Sequence, residues 1–373
     1  MRIRRTVTTL ALATALTTAL TAGAAASASA AVAAPVAGAS PSAAPTVAEI
    51  LGHLPDAVVA GALVRQDGAS ATAGPVTADA YLRIGSVTKV FTNTVVLQLV
   101  AEHRIGLDAP ARQYVPEVLP EAYGDVTVRQ LLDHTSGLPK PARTPGPADG
   151  PGWQLRSVTP VDLLRESFAA ADAAPTSRGE QQYNGLNSLV LGLVVEKVTG
   201  RSFTSELRRR IIQPLHLTHT GLPAADDPAI PSPHAEVYLD GQDVTEQSPY
   251  PWAEGGMVST ASDLDRFLTA LFRGHLLPPA QQKLVFEVPD VPSAADNTNC
   301  AGTDACYSVG GLMRYRLPDG EYAWGKTGSR PGWDNGIFAT RDLRHRVVYS
   351  LNPTGNGDDL PYIKALVNAG LAD

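Results

Sequence analysis

Arg83-Ile84-Gly85-Ser86-Val87-Thr88-Lys89 is the stretch from which the rest of the chain can be read. Apolar residues follow it at Val90, Phe91, Val95, Leu97 and Val100, the spacing of a helix face, with Gly106 as a stop signal just beyond. Residues 86–103 are therefore expected to be helical. Ser86 and Lys89 then stand three apart in the first turn, on one face, where hydroxyl and amine can come within hydrogen-bonding reach. A hydroxyl attacks a carbonyl only if a partner takes its proton. The unpaired N–H groups at a helix N-terminus suit the oxyanion that develops. Taken alone the pattern is weak, because six Lys and 21 Ser in 373 residues give about 0.34 such spacings by chance. An ordinary capped helix with a solvated lysine would look the same.

Lysine usage sharpens it. The chain has 24 Arg and only six Lys. A lysine can give up its proton when desolvated or set near another cation, whereas arginine cannot. A second lysine falls in Lys326-Thr327-Gly328-Ser329, on a strand-like segment whose glycine would let a substrate backbone lie close.

Outward from these two points, residues 57–64 read as a buried strand before a Gln66-Asp67-Gly68 turn, and residues 185–198 as a helix ending at Thr199-Gly200. Another helix is expected to start at Ser262-Asp263-Leu264-Asp265. Short strands follow at 322–326, 336–340 and 346–351, with turns at Asp334-Asn335-Gly336 and Asn352-Pro353-Thr354-Gly355, and a last helix covers 362–369. Strands at both ends and helices between them predict one sheet built from both termini, with a helical lobe inserted. A cleft between the two is the expected active site.

Composition bounds the class. At 44% hydrophobic and 18% charged the chain is an ordinary globule, not a disordered or collagenous one. Thirty basic and 37 acidic residues leave no footprint for nucleic acid. Residues 1–30 read as a signal peptide: Arg2, Arg4 and Arg5 precede an uncharged Ala/Leu/Thr run and the small-residue site Ala28-Ser29-Ala30, with Ala34 as a second candidate cut. A membrane anchor is the competing reading, but the run is short for a bilayer and no later run approaches that length. Losing those three arginines takes the charge from −7 to −10. Residues 31–45 form an Ala/Pro/Ser tether, and 46–373 the catalytic domain, as one body or two intertwined lobes. A secreted, monomeric product is expected, free or associated with the cell wall. In that compartment Cys300 and Cys306 should form one local disulfide, two free thiols being the alternative.

The motifs together resemble the penicillin-recognising serine hydrolases, in the branch of class C β-lactamases and actinobacterial D-alanyl-D-alanine carboxypeptidases. The resemblance rests on the Ser86 and Lys326 motifs and on Val128-Arg129-Gln130-Leu131-Leu132-Asp133-His134-Thr135-Ser136-Gly137-Leu138-Pro139. It is supported by residues 192–200 and 256–264. It implies an α/β (α+β) fold of the β-lactamase/transpeptidase type, with an antiparallel sheet from both termini flanked by helices. It also implies an acyl-enzyme on Ser86, with Lys89 as proton acceptor or its organiser and Tyr183 as proton relay. Lys326 would depress the proton affinity of Lys89 and Tyr183, Thr327 would contact a substrate carboxylate, and Arg314 is a looser candidate for the same carboxylate. The N–H groups of Ser86 and Ser329, beside Gly328, would form the oxyanion hole.

The second motif of the family reads Tyr-x-Asn, and here it is Tyr183-Asn184-Gly185. The amide that should touch Lys89 and the substrate's acyl amide is missing, with Asn184 or Asn187 as possible replacements. No cofactor or metal is implied: His216 and His219 lack a carboxylate partner, and no His-Glu-x-x-His occurs. His134, Thr135 and Ser136 read as a structural turn, and Trp252, Trp324 and Trp333 as either cleft lining or core. The expected activity is a D-Ala-D-Ala carboxypeptidase on a peptide or peptidoglycan stem, inhibited by β-lactams. An esterase, a D-amino acid amidase or a weak β-lactamase is the alternative, and a catalytically silent binding module a third.

Overall fold

In a computed structural model, residues 44–142, 144–171, 179–297, 300 and 304–372 are described. Residues 1–43, which hold the expected signal peptide and most of the expected tether, lie outside them. Helix α1 (Val47–Gly52) starts at a capping box, Thr46 Oγ1 accepting from Glu49 N while the Glu49 carboxylate accepts from Thr46 N. Strands β1 (Val59–Gln66) and β2 (Ala69–Ala73) form a hairpin. Its turn residues Asp67 and Gly68 have φ of 47° and 97°, the paired left-handed conformation that Asp-Gly favours. Strand β3 (Tyr81–Arg83) runs into a tight turn and then helix α2 (Thr88–Ala101). The inserted lobe follows as α3 (Val128–Leu132), α4 (Pro160–Ala170), α5 (Leu186–Thr199) and α6 (Phe203–Leu207). A small hairpin, β4 (Tyr238–Leu239) and β5 (Gln242–Asp243), precedes β6 (Val258–Thr260), α7 (Ala261–Phe272) and α8 (Pro279–Leu284). The chain closes with β7 (Met313–Arg316), β8 (Tyr322–Arg330), β9 (Trp333–Thr340), β10 (Arg346–Pro353) and α9 (Leu360–Gly370).

The main sheet has the order β2-β1-β10-β9-β8-β7, antiparallel throughout, so the two ends of the domain meet at the β1–β10 pair. The central strands β1, β10 and β9 are buried on both faces, which is why they read as apolar runs rather than alternating ones. Ala62, Val64, Val347, Tyr349 and Phe338 face a core with α1 and α9. Leu63, Val348, Ile337 and Ala339 face the larger core shared with α7 and the helical lobe. Residues from Ala44 onward form one compact unit.

Two expectations change. Asp334-Asn335-Gly336 is not a turn but part of β9, paired with Ser329, Gly328 and Thr327. The reversal occurs at Pro331-Gly332, where Gly332 has φ 76°. Asn335 is drawn inside because its buried amide donates to Arg83 O at 2.9 Å. Helix α7 starts at Ala261 with Thr260 as its cap, whose hydroxyl accepts from Asp263 N. Among the described residues, no helix is long and apolar enough to cross a membrane.

Candidate active site

The nucleophile motif stands where α2 abuts β8. Gly85 has φ 52°, and a Cβ there would lie 2.6 Å from Ser329 N and 2.5 Å from Ser329 O. A Cβ on Gly328 would lie 2.0 Å from Ile84 O and 3.0 Å from Ser86 N. Both glycines are clearances that let strand and helix end touch. They bring the backbone amides of Ser86 and Ser329 to one junction. Helix α2 is buried from Thr88 to Leu97, and its polar side chains are spent on that burial. Thr92 donates to Ala253 O at 2.7 Å, and Asn93 to Leu132 O and Val309 O. Lys89 is 1% exposed and donates from Nζ to Ser86 Oγ at 3.1 Å and to Glu254 O at 2.9 Å.

Tyr183 is held by its neighbours. Gln181 fixes the chain by donating to Asp133 O and Tyr307 O and accepting from Cys306 N and Tyr307 N. The Tyr183 ring stacks on Tyr307 at 5.0 Å and tilts against His134 at 4.8 Å. The amines of Lys89 and Lys326 lie 5.1 and 4.8 Å from the centre of the Tyr183 ring. Among the described residues its buried hydroxyl makes no well-directed hydrogen bond. His134 serves as packing. Its Nδ1 accepts from Asn184 N and meets Asn187 Nδ2 at 3.0 Å, while burial and the two ammonium groups hold the imidazole neutral, well below its usual pKa.

Neither candidate asparagine fills the second-motif vacancy. Asn184 donates to Leu138 O and Pro139 O and accepts from Leu186 N. Asn187 accepts from Ser136 Oγ at 2.7 Å. Both are consumed in bracing the loop after α3. The space is filled instead by Glu254, which sequence reasoning missed: a Cβ on Gly185 would lie 2.1 Å from Glu254 Oε1. Glu254 Oε1 is 3.4 Å from Lys89 Nζ. An asparagine therefore cannot be restored at position 185 while Glu254 keeps its pose. The only signal in the sequence was the missing side chain itself.

The charges bias one another. Burial alone would lower the proton affinity of Lys89, but Glu254 and then Tyr183 outweigh it and raise it above the usual lysine range. That corrects the expectation that Lys89 is depressed. Burial would raise the Tyr183 phenol, yet Lys326, Lys89 and a contact with Ser86 pull it below the usual tyrosine value. Burial, with Lys89 adding to it, lowers Lys326. The cluster thus shifts proton affinity from the Tyr183 phenol toward Lys89.

The remaining expectations divide. Thr327 and Ser329 lie on the same strand as Lys326, whose amine donates to Thr327 O at 2.7 Å. Arg314 does not join them: its guanidinium sits 5.0 Å over the Tyr322 ring, four residues before Lys326. All three tryptophans are packed against other side chains. Trp252 meets Phe203, Trp324 meets Phe286, and Trp333 lies under Arg83. Beside the cluster opens a cleft of about 640 Å³ lined in part by Trp153, Tyr250, Glu254, Ser329 and Arg330. Cys300 and Cys306 form a disulfide immediately before Tyr307, although residues 301–303 between them lie outside the described ones.

The profile of the Beta-lactamase family matches residues 46–371. A D-stereospecific amidohydrolase from Streptomyces sp. is similar at 33% identity and a TM-score of 0.74, over 86% of this chain and 98% of that one. A D-amino acid amidase from Ochrobactrum anthropi SV3 is similar at 25% identity and a TM-score of 0.68, over 83% and 94%. Protein flp of Staphylococcus aureus is 30% identical over 141 residues, 37% of this chain, and the match spans only 27% of that relative's length.

Proposed function

This chain belongs to the Beta-lactamase family, and from that premise we propose that it hydrolyses amide bonds of D-configured amino acids through an acyl-enzyme on Ser86. It is a serine hydrolase of the β-lactamase fold. The observation that carries the finer reading is the Ser86–Lys89–Tyr183 cluster, with Lys89 Nζ 3.1 Å from Ser86 Oγ and the phenol flanked by two ammonium groups. The likeness to two D-selective amide hydrolases supports the substrate class.

Tyr183, as phenolate, takes the Ser86 proton as Oγ bonds to the carbonyl carbon and the carbonyl electron pair moves onto oxygen. The amides of Ser86 and Ser329 hold that oxyanion. Collapse breaks the C–N bond, and the leaving nitrogen takes the proton from Tyr183. Water then attacks the ester, giving one proton to Tyr183, which returns it to Ser86 Oγ as the acid departs. Lys89 and Lys326 remain ammonium groups throughout and keep the phenol acidic.

The D-alanyl-D-alanine carboxypeptidase reading shares this chemistry and is favoured by the Lys326-Thr327-Gly328 motif within β8. It also needs a cation for a terminal carboxylate, and Arg314 stands over Tyr322. Turnover of diacetyl-Lys-D-Ala-D-Ala above that of D-phenylalanine amide would decide for it. The proposal itself is tested by intact mass after incubation with penicillin or p-nitrophenyl acetate. A covalent adduct lost in Ser86→Ala, together with hydrolysis of D- over L-phenylalanine amide, is the expected result; folded protein that neither labels nor turns over any of these sinks it. The arginine-led N-terminus and the Cys300–Cys306 bridge support action outside the cytoplasm.

A further inference from the structure

Glu254 enters the site from a separate piece of chain, the single turn Trp252–Glu254, and takes the volume vacated at Gly185. Its neighbourhood is cationic. Lys89 and Lys326 are buried there, and Arg330 is partly buried beside them. Arg330 is occupied, donating to Tyr250 O, Ser248 O and Gln247 Oε1. Among the described residues the only ion pair of the Glu254 carboxylate is with Lys89, and its side chain remains 22% exposed at the cleft. A side-chain amide at this spot could accept from the N–H and donate to the carbonyl of a substrate's acylamino group. A carboxylate can only accept, and it pairs best with a cation.

Resting on the amide-hydrolase reading above, we propose that Glu254 selects substrates with a free α-ammonium, making the preferred substrates D-amino acid amides and short peptides cleaved after an unblocked N-terminal D-residue. In an acyl-Ser86 adduct the α-nitrogen is three bonds from Oγ, and the Glu254 carboxylate is two hydrogen-bond lengths from Oγ by way of Lys89 Nζ. An α-ammonium turned away from Lys89 and toward the cleft therefore meets Glu254 on the exposed side of the carboxylate. An N-acylated nitrogen carries no charge for the carboxylate to pair with, so the acylated substrate forgoes the charge-assisted contact.

The experiment compares kcat/KM for D-phenylalanine amide with N-acetyl-D-phenylalanine amide in the full chain and in Glu254→Gln. The free amine should be preferred by about 30-fold or more, and Glu254→Gln should bring the ratio close to one. Because Glu254 also contacts Lys89, a common loss of rate is expected, and only the ratio reports ammonium recognition. Gly185→Asn/Glu254→Ala, which removes the clash, should move the ratio below one. Equal use of both amides by the unaltered chain, or an unchanged ratio in Glu254→Gln, overturns the inference while leaving the acyl-enzyme intact. Failure of p-nitrophenyl acetate to acylate Ser86 removes the acyl-enzyme reading and this one with it.

Discussion

A phenol between two ammonium groups is an unusual place to keep a proton, and the Tyr183 hydroxyl has no good hydrogen bond in which to hide it. Each nearby cation favours the phenolate, so removing one must make the phenol harder to ionise. Lys326→Met should therefore move the acid limb of the kcat/KM profile to higher pH by about one to two units, whereas Lys326→Arg should hold it near its original position. The readout is the position of the limb, not the rate, since Lys326 also donates to Thr327 O and its loss disturbs β8. An acid limb that stays put in Lys326→Met would show that Tyr183 is not the group being titrated.

At the scale of elements, the site is assembled by close approaches rather than by long side chains. Gly192 on α5 is one: a Cβ there would lie 2.6 Å from the Trp252 ring and 2.7 Å from Ala253 Cβ. Gly192→Ala should push the Glu254 turn away from α2, destabilise by about 1–3 kcal/mol and weaken amide turnover, although it touches no reacting atom. Gly52→Ala, with nothing within 4 Å, is the control, expected to be neutral or stabilising by up to about 1 kcal/mol in thermal melts. These approaches also explain what could be read in advance. Helix α2, helix α5 and the last three strands carry their pattern locally, and the sequence order of Ser86, Tyr183 and Lys326 pointed to the cluster. Strands β2, β3, β6 and β7 did not stand out, being short or without a local apolar pattern. Asn335-Gly336 has turn chemistry, but the Arg83 carbonyl and the Tyr349 ring, which packs into the space a Gly336 side chain would need, override it. Glu254 was illegible because nothing near it in sequence points to Gly185, 69 positions earlier.

At the scale of the molecule, β1 and β10 tie the two ends of the domain into one sheet, and α1 and α9 cover the same face of it. Leu366 of α9 is fully buried there, remote from Ser86 in sequence and on the other side of the sheet from the helical lobe. Leu366→Ala should destabilise by about 2–5 kcal/mol. If the sheet and lobe fold as one unit, far-UV circular dichroism and penicillin labelling should still be lost in a single coincident transition. Labelling that disappears well before the sheet melts would reveal a lobe able to loosen by itself.

The proposed selector of the substrate and the machinery that breaks the bond are carried on different stretches of chain. Tyr183 lies just before α5, Ser86 leads into α2, and Glu254 ends a one-turn loop that meets them through Lys89, the Thr92 bond to Ala253 O, and the clearances at Gly185 and Gly192. Such a division makes preference transplantable. Exchanging that one turn, together with residue 185, could retune which compounds are accepted without redesigning the nucleophile, so diversification of this scaffold need not pass through inactive intermediates.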